Sequence, residues 1–462
     1  MALARRGWIA LAGLALVYAW IWVVSAHRID GQPFAGFAPV FVTGCGDFEH
    51  FYHAARAMRD GTALHASGVH GYIYPPLIAF VFMPLAWLPV KSAALVMLVL
   101  NMAMGVACAW VAAREVARRF EIDASPTNVL VVAAVATLLV VTRLRSEFQM
   151  WQTNVPMMLL MLLALRWLDR RPQLAGLALG MAVSIKYLPL LFLPYLLLRR
   201  RFAAAAWMVA GTVGFALLPA IVSGWHSNLQ DLRIALAGIL GLLGVAVAGT
   251  PVANVDPITA GHSISLTSAL SRWFGPDVPT RHVLAVSAAL ALGLVAVIAQ
   301  IYRRMGRPVL RWPSAAAQQG RPYLGIVALE WTALMVLALA FSPQTNPRHT
   351  SLLLMVAVPL AAMLCLPRAG TPRWPALAAA AILLFGLLFP PNTPAFVAAL
   401  SWSRSNGFTG WCMAAMLPFF FIAGLRYLAA APDAIRADGT PVHPGAAPSV
   451  TESLPEMTAA TY

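Results

Sequence analysis

Charge is what this sequence has least of: 11% of its 462 residues are charged, against about 25% in an ordinary soluble domain. With 60% apolar residues and a mean hydropathy of +0.74, the soluble globular class is excluded. Lysine is nearly absent, Lys91 and Lys186 being the whole of it among 32 basic residues. The cysteines, Cys45, Cys108, Cys365 and Cys412, are scattered, and most lie in or beside apolar runs. That leaves neither a disulfide framework nor a metal-spaced ligand set. There is no Walker loop, no GxGxxG ahead of a helix and no HExxH, so soluble nucleotide chemistry and zinc hydrolysis lack their signatures. No metal and no cofactor is called for.

What the chain has is hydrophobic length. Long apolar runs recur, close to the ~20 residues that cross a bilayer as helix, without the dyad alternation of a barrel strand. The fold class is therefore an all-α polytopic membrane protein. A net charge of +15 would point to nucleic acid in a soluble protein. Here the arginines sit between hydrophobic runs and mark cytoplasmic loops, and no nucleic-acid partner is expected.

Placing the clusters at 114–119, 166–171, 199–201, 303–311 and 368–373 inside predicts crossings near 8–24, 92–113, 128–143, 155–168, 203–223, 283–302, 324–341, 349–367, 374–390 and 410–428. Both termini then lie inside. The helix after Tyr74-Pro75-Pro76 would put 114–119 on the wrong side if it spanned, so it is read as interfacial or re-entrant. The run 173–198 carries Lys186-Tyr187-Leu188-Pro189 in its middle. It reads as two half-helices meeting at a buried lysine, since broken backbone at membrane depth is tolerated where it lines a cavity. The Gly-rich run 233–249 is read as lying against the outer face. The total is about 10 to 13 transmembrane helices plus interfacial or re-entrant half-helices. In order, the chain divides into a signal anchor (1–25), an outer loop with an interfacial helix (26–90), a multi-helix core (91–430) and a cytoplasmic tail read as disordered (431–462).

The polar residues that stand out are few. Asp47, in Gly44-Cys45-Gly46-Asp47-Phe48, is open to three readings: a solvated loop carboxylate, the N-cap of the helix that follows, or a reacting base. Lys186 is more pointed, because a cation in a Leu/Ala/Val segment costs several kcal/mol unless paired or near water. It either snorkels to an interface or meets an anion, and no acidic residue lies nearby in sequence; a phosphate would serve. Arg143, Arg145, Glu147, Gln149, Gln152 and Asn154 crowd between two apolar helices. Arg143 and Glu147 are spaced for a helical ion pair, and Gln152-Thr153-Asn154 ahead of Pro156 puts two amides at a helix mouth. The proline-locked turn from Phe341 to His349 reads equally as a capped hairpin and as a phosphate site built on Arg348 and His349. His262, with Ser263 and Ser265, is a fainter case. Tyr74-Pro75-Pro76-Leu77 by itself simply starts a helix.

Taken in order, these motifs resemble glycosyltransferase family 87, GT-C-like membrane enzymes that include polyprenyl-phosphate-mannose-dependent mannosyltransferases and arabinofuranosyltransferases. The resemblance rests on Asp47-Phe48, Tyr52, Ala54-Ala55 and Gly61, then Tyr74-Pro75-Pro76-Leu77 and Pro84-Leu85-Ala86-Trp87-Leu88-Pro89. It continues with Gln152-Thr153-Asn154, with Gly180, Lys186 and Pro189 ahead of Arg199-Arg200-Arg201, and with Ser342-Pro343 and His349. The family's turn often has Trp and a histidine pair where this chain has Asn346, Pro347 and Arg348, and its Asn-x-Ser outer loop is only echoed by His262 to Leu266.

The resemblance implies transfer of a mannosyl or arabinofuranosyl group from a polyprenyl-phosphate donor to a lipid-linked or cell-envelope glycan acceptor. Transfer would invert the anomeric centre at the outer face of a bacterial inner membrane, among membrane lipids. In that scheme Asp47 is the general base, and Lys186, Arg348 and His349 hold the donor phosphate. Tyr52, Tyr74, Arg145, Gln152, Asn154 and His262 line the substrate site. Two rivals compete. A transporter or lipid flippase explains half-helices and a buried lysine, but accounts less well for a long outer loop rich in aromatics. A non-catalytic scaffold leaves Lys186 unexplained.

Overall fold

Proline opens several of the helices, as its fixed φ and missing N–H suit a first turn, and runs of Leu, Ala, Val and Met propagate them. The computed structural model describes residues 2–29, 45–68, 71–250, 255–307, 321–388 and 395–430. Among these there are helices and no strands. The tail 431–462 and the loop 30–44 lie outside the described residues.

The first part of the chain runs α1 (Ala2–Ile29), α2 (Phe48–Arg59), the short α3 (Pro76–Phe82), which continues as a 3-10 turn over Met83–Trp87, and the long α4 (Val90–Phe120). Then follow α5 (Pro126–Leu139), α6 (Val141–Gln149), α7 (Asn154–Trp167), α8 (Pro172–Ile185), α9 (Phe192–Leu198) and α10 (Phe202–Leu217). The rest comprises α11 (Ala220–Ser223), α12 (Trp225–Leu242), α13 (Leu266–Phe274), α14 (Thr280–Arg304), α15 (Arg321–Phe341), α16 (Leu354–Cys365), α17 (Trp374–Leu387), α18 (Val397–Ser405) and α19 (Phe408–Ala429).

Seven helical stretches among the described residues are long and apolar enough to cross a membrane: Arg5–Ile29, Val90–Phe120, Phe202–Ser223, Thr280–Arg304, Tyr323–Phe341, Pro347–Cys365 and Phe408–Ala429. The chain is an all-α polytopic membrane protein. Three expected crossings take another form. The stretch at 128–143 is broken, α5 turning by 73° into α6. Those at 155–168 and 374–390 are 14-residue helices, about 21 Å long at 1.5 Å per residue and so shorter than a ~30 Å hydrocarbon core. Conversely, α4 outruns its expected end at 113 and carries the arginines of 114–119 on its last turns, until Glu121 adopts a left-handed conformation (φ 55°) and stops it.

α16 forms the middle of the bundle. Every residue from Leu354 through Met363 is buried, and it packs on α4, α5, α15 and α17. Pro359 sits inside it, a residue that membrane helices tolerate when neighbours satisfy the freed carbonyl. The outer faces of α1, α10 and α14 present Trp8, Leu16, Val213 and Leu292 unburied, the pattern of helices whose solvent is lipid.

α8 and α10 approach through small residues. A Cβ on Gly180 would stand 2.5 Å from the Thr212 amide nitrogen and 2.8 Å from the Met208 carbonyl oxygen, both fixed backbone atoms. Gly180→Ala should therefore force the two helices apart and destabilise the protein by about 1–3 kcal/mol. A thermal unfolding midpoint equal to that of the unsubstituted protein would show that the helices separate freely. The consequence reaches the site, because α8 ends directly at Lys186.

Candidate functional site

Three backbone features converge on one polar centre. Gly46 (φ 59°) turns the chain so closely against Met150 that a Cβ there would lie 3.3 Å from the Met150 Cα. That places Asp47, at the start of α2, over the end of α6. The fully buried Trp151 has φ 48°, a left-handed conformation that costs a non-glycine residue of order 1–3 kcal/mol. It sends Gln152 and Asn154 inward ahead of α7. α8 then stops at Lys186, whose extended backbone (φ −149°, ψ 143°) breaks the helix where a lysine at membrane depth required a break.

The side chains join in one continuous path. Asp47 Oδ2 accepts from Gln152 Nε2 and pairs with the Arg348 guanidinium. The Lys186 ammonium donates to Gln152 Oε1 at 2.9 Å and to Asn154 Oδ1 at 2.7 Å. Asn154 Nδ2 donates to Glu147 Oε2 at 2.8 Å, and its backbone N–H donates to Glu147 Oε1 at 3.0 Å. Ser351 Oγ closes the far end on Glu147 Oε2 at 3.3 Å. The Gln152 carbonyl accepts from Asn101 Nδ2 at 3.0 Å, tying the path to α4. Tyr74 roofs it, with its ring centroid 5.2 Å from Lys186 Nζ.

Burial is graded along the path. Glu147, Asn154 and Ser351 are fully buried and Lys186 is 7% exposed, whereas the side chains of Asp47 and Arg348 keep 20% and 29% of their surface. The path therefore runs from a closed carboxylate at one end to an open one at the other. Burial pushes the Tyr74 phenol up, so it stays protonated and can donate. Cys45, two residues before Asp47, is pushed up to about 11 by burial and by the Glu49 carboxylate, which makes it an inert thiol at neutral pH.

Asp47, Gln152, Asn154, Lys186, Arg348 and Tyr74 are thus brought together. The Asp47 side chain makes no capping bond to its own helix, so the N-cap reading does not describe it. His349 stands within electrostatic reach of Lys186 and Arg348, and its Nδ1 accepts from the Asn346 backbone N–H at 3.3 Å.

Three expected substrate residues are placed otherwise. Tyr52 donates its hydroxyl to the Leu88 carbonyl at 2.7 Å and packs on Phe48, so it fastens α2 to the segment ahead of α4. Arg145 lies over the Trp20 ring of α1 at 5.4 Å, on the other side of α6. His262 pairs with Asp256 at 3.2 Å and meets Gln344, forming part of a loop that covers the 342–346 turn. The expected Arg143–Glu147 pair is also replaced. Glu147 turns to Asn154 and Ser351, and Arg143 donates to the Leu387 carbonyl.

Ser351 is a participant that sequence reasoning missed, together with Arg28, at the end of α1, which approaches Arg348 closely enough for their charges to interact; Glu147 was read only as a partner for Arg143. Glu147→Gln would set a second NH2 group against the amide donor of Asn154. We expect it to destabilise the protein by about 1–3 kcal/mol, lowering the unfolding midpoint by several degrees. An unchanged midpoint would remove Glu147 as the anchor of Asn154. Among the described residues no group of three or more His, Cys, Asp and Glu side chains is arranged to hold a metal ion.

One relative, from Mycobacterium tuberculosis, is named a polyprenol-phosphate-mannose-dependent alpha-(1-2)-phosphatidylinositol mannoside mannosyltransferase; it is 32% identical over 194 residues, 37% of this chain and 45% of the relative. A protein of the same name from Mycolicibacterium smegmatis is 28% identical over 317 residues, 64% of this chain and 66% of the relative. A third, also from Mycobacterium tuberculosis, is named for a phosphatidylinositol pentamannoside; it is 30% identical over 246 residues, 49% of this chain and 50% of the relative. The chain thus spans about half to two thirds of the length of these relatives. The family profile of glycosyltransferase family 87 matches residues 72–318, a stretch that holds Tyr74, Glu147, Gln152, Asn154 and Lys186. With more than half of its length matched, the chain belongs to glycosyltransferase family 87.

Proposed function

We propose that the protein transfers a sugar from a polyprenyl-phosphate donor to a lipid-linked or cell-envelope glycan acceptor. The observation that carries this reading is the state of Lys186. An ammonium has three N–H donors; two are given to the amide oxygens of Gln152 and Asn154. Among the described residues no carboxylate is within ion-pair distance of it. A buried ammonium bonded to neutral amides, with the Tyr74 ring over it and the Glu147 carboxylate acting on it only from behind Asn154, still favours a visiting anion. The third donor is available for a phosphate, and Asp47 is one residue away along the path, through Gln152.

The chemistry follows from those positions. Asp47 takes the proton of the acceptor hydroxyl, and that oxygen forms the new bond to the anomeric carbon. The bond from the anomeric carbon to the phosphate oxygen breaks on the opposite face, inverting the centre, and polyprenyl phosphate leaves with the electron pair. Lys186, with His349 beside it, offsets the charge that develops on the leaving phosphate in a site of low dielectric. Arg348 is the partly exposed member, paired with Asp47 and open to a donor phosphate. Paired with Asp47 it keeps the carboxylate from acting as a base, and when the donor phosphate draws it away Asp47 is freed. Tyr74 and the half-buried mouth around Asp47 receive the two sugars.

Mannose is the preferred sugar, since the curated relatives are named for polyprenol-phosphate-mannose. Their acceptor names make a mannosylated lipid the first acceptor to try. Arginine-rich helix ends on the inner side, by the positive-inside rule, support an Asp47 centre that faces outward from a bacterial inner membrane.

The test is reconstitution in vesicles with labelled polyprenyl-phosphate mannose and a phosphatidylinositol mannoside. Label recovered on the acceptor supports the reading. Donor carried across the bilayer without transfer would replace it with a transporter.

A further inference from the structure

A second polar centre lies at the other end of α4 and α7. α7 starts in the Asp47 site at Asn154 and ends at Trp167, and there the ends of α4 and α7, the turn that follows α7 and Ala124 line a cavity of about 550 Å³. Its wall carries five arginines, Arg114, Arg118, Arg166, Arg170 and Arg171, together with Trp167. Arg114 and Arg118 are four residues apart on α4 and so project from one side of it, while Arg166 lies in the last turn of α7 and Arg170 and Arg171 lie in the turn after it. Since α4 and α7 pack on one another, all five arginines line the same hollow.

The local acids are already taken. Glu115 accepts from Arg118 Nε at 3.1 Å and from the fully buried Arg119 at 2.6 Å. Asp169 accepts from Arg119 at 2.7 Å and from Arg201 at 2.7 Å. That buried set ties α4 to the turn after α7 and to the residue ahead of α10, and it fixes the floor. Arg114, Arg166, Arg170 and Arg171 are exposed and make no ion pair or side-chain hydrogen bond among the described residues. Positive charge in a short loop is enough to orient a membrane helix. It does not require five guanidinium groups around one concavity with an indole in its wall.

We infer that this cavity binds the headgroup of an anionic phospholipid, the arginines holding its phosphate and Trp167 lying at the glycerol level. A lipid is favoured over a soluble anion because the cavity sits where apolar helices end, with Leu174 exposed on the first turn of the following α8. Basic pockets between transmembrane helices recognise acidic headgroups in this manner. The inference does not depend on sugar transfer, since no residue of the Asp47 path takes part.

The test uses the full-length protein in a neutral detergent, with native mass spectrometry to count retained phosphatidylglycerol and phosphatidylcholine. Unsubstituted protein should retain phosphatidylglycerol selectively, and raising the salt should weaken it. Combining Arg114→Gln, Arg166→Gln and Arg170→Gln should weaken that binding by about a hundredfold, each arginine contributing to attraction at the surface. The corresponding triple Lys variant should retain most of it. Retention of the two lipids to the same extent by unsubstituted protein would overturn the inference, and that comparison needs no variant to fold. So would undiminished binding in a Gln variant with an unchanged gel-filtration profile. Displacement of phosphatidylglycerol by an equal concentration of glycerol phosphate would overturn the lipid assignment in favour of a soluble phosphate.

Discussion

Asp47→Asn should lower sugar transfer by about a thousandfold, within the range that a general base contributes, while donor binding persists. The substitution keeps the shape of the side chain and one oxygen to accept from Gln152, so the path to Lys186 is preserved. What is lost is the carboxylate that takes the acceptor proton. The pair with Arg348 is weakened as well. On the proposed scheme that pair is a resting contact which donor phosphate breaks, so donor affinity should hold or improve. Single-turnover transfer from labelled polyprenyl-phosphate mannose separates this step from binding. Turnover equal to that of the unsubstituted protein would remove Asp47 as the base. Loss of donor binding in step with turnover would make it a positioning residue for Arg348.

How much of this centre could be read from the sequence depends on distance along the chain. Lys186 was legible because lysine is so rare here and because Pro189 follows it within an apolar run; the helix does break there. Gln152 and Asn154 were legible as amides at a helix mouth. Glu147 was not, because a pattern at i, i+4 offered it Arg143, and only the 73° bend between α5 and α6 shows which way it turns. Arg348 was legible as a cation but not as the partner of Asp47, since nothing local couples residues so far apart in the chain. Tyr52 shows the opposite case, where the resemblance implied a substrate contact and the structure shows a packing one. Five positions along a helix rotate a side chain by about 140°, away from the mouth and into the core, where its hydroxyl finds Leu88. The helix ends are blurred for a related reason. Polarity of the loop predicts where a membrane ends, not where the helix does, and α4 carries its arginines well past the apolar run.

Lys186→Met should weaken donor binding by about ten- to a hundredfold. That is the span of a charge-assisted hydrogen bond worth about 1.5–3 kcal/mol. Methionine fills nearly the same length of channel under Tyr74 but supplies no donor, so the phosphate loses its partner in a site where water does not replace it. The substitution also strands the oxygens of Gln152 and Asn154 that Lys186 now satisfies, and leaves Glu147 facing Asn154 with no cation beyond it. Stability should therefore fall too, and a fall in the unfolding midpoint alone would not distinguish a donor site from a structural lysine. Glu147→Gln provides the comparison, since it damages the same path and lowers stability while leaving the ammonium in place. If Lys186 is structural, the two variants should bind donor alike once both are folded. If it meets the phosphate, the Met variant should lose donor affinity well beyond the Gln variant, as read by titration with a non-transferable polyprenyl phosphate. Equal affinities would end the phosphate role and reopen the centre to a substrate that carries no charge.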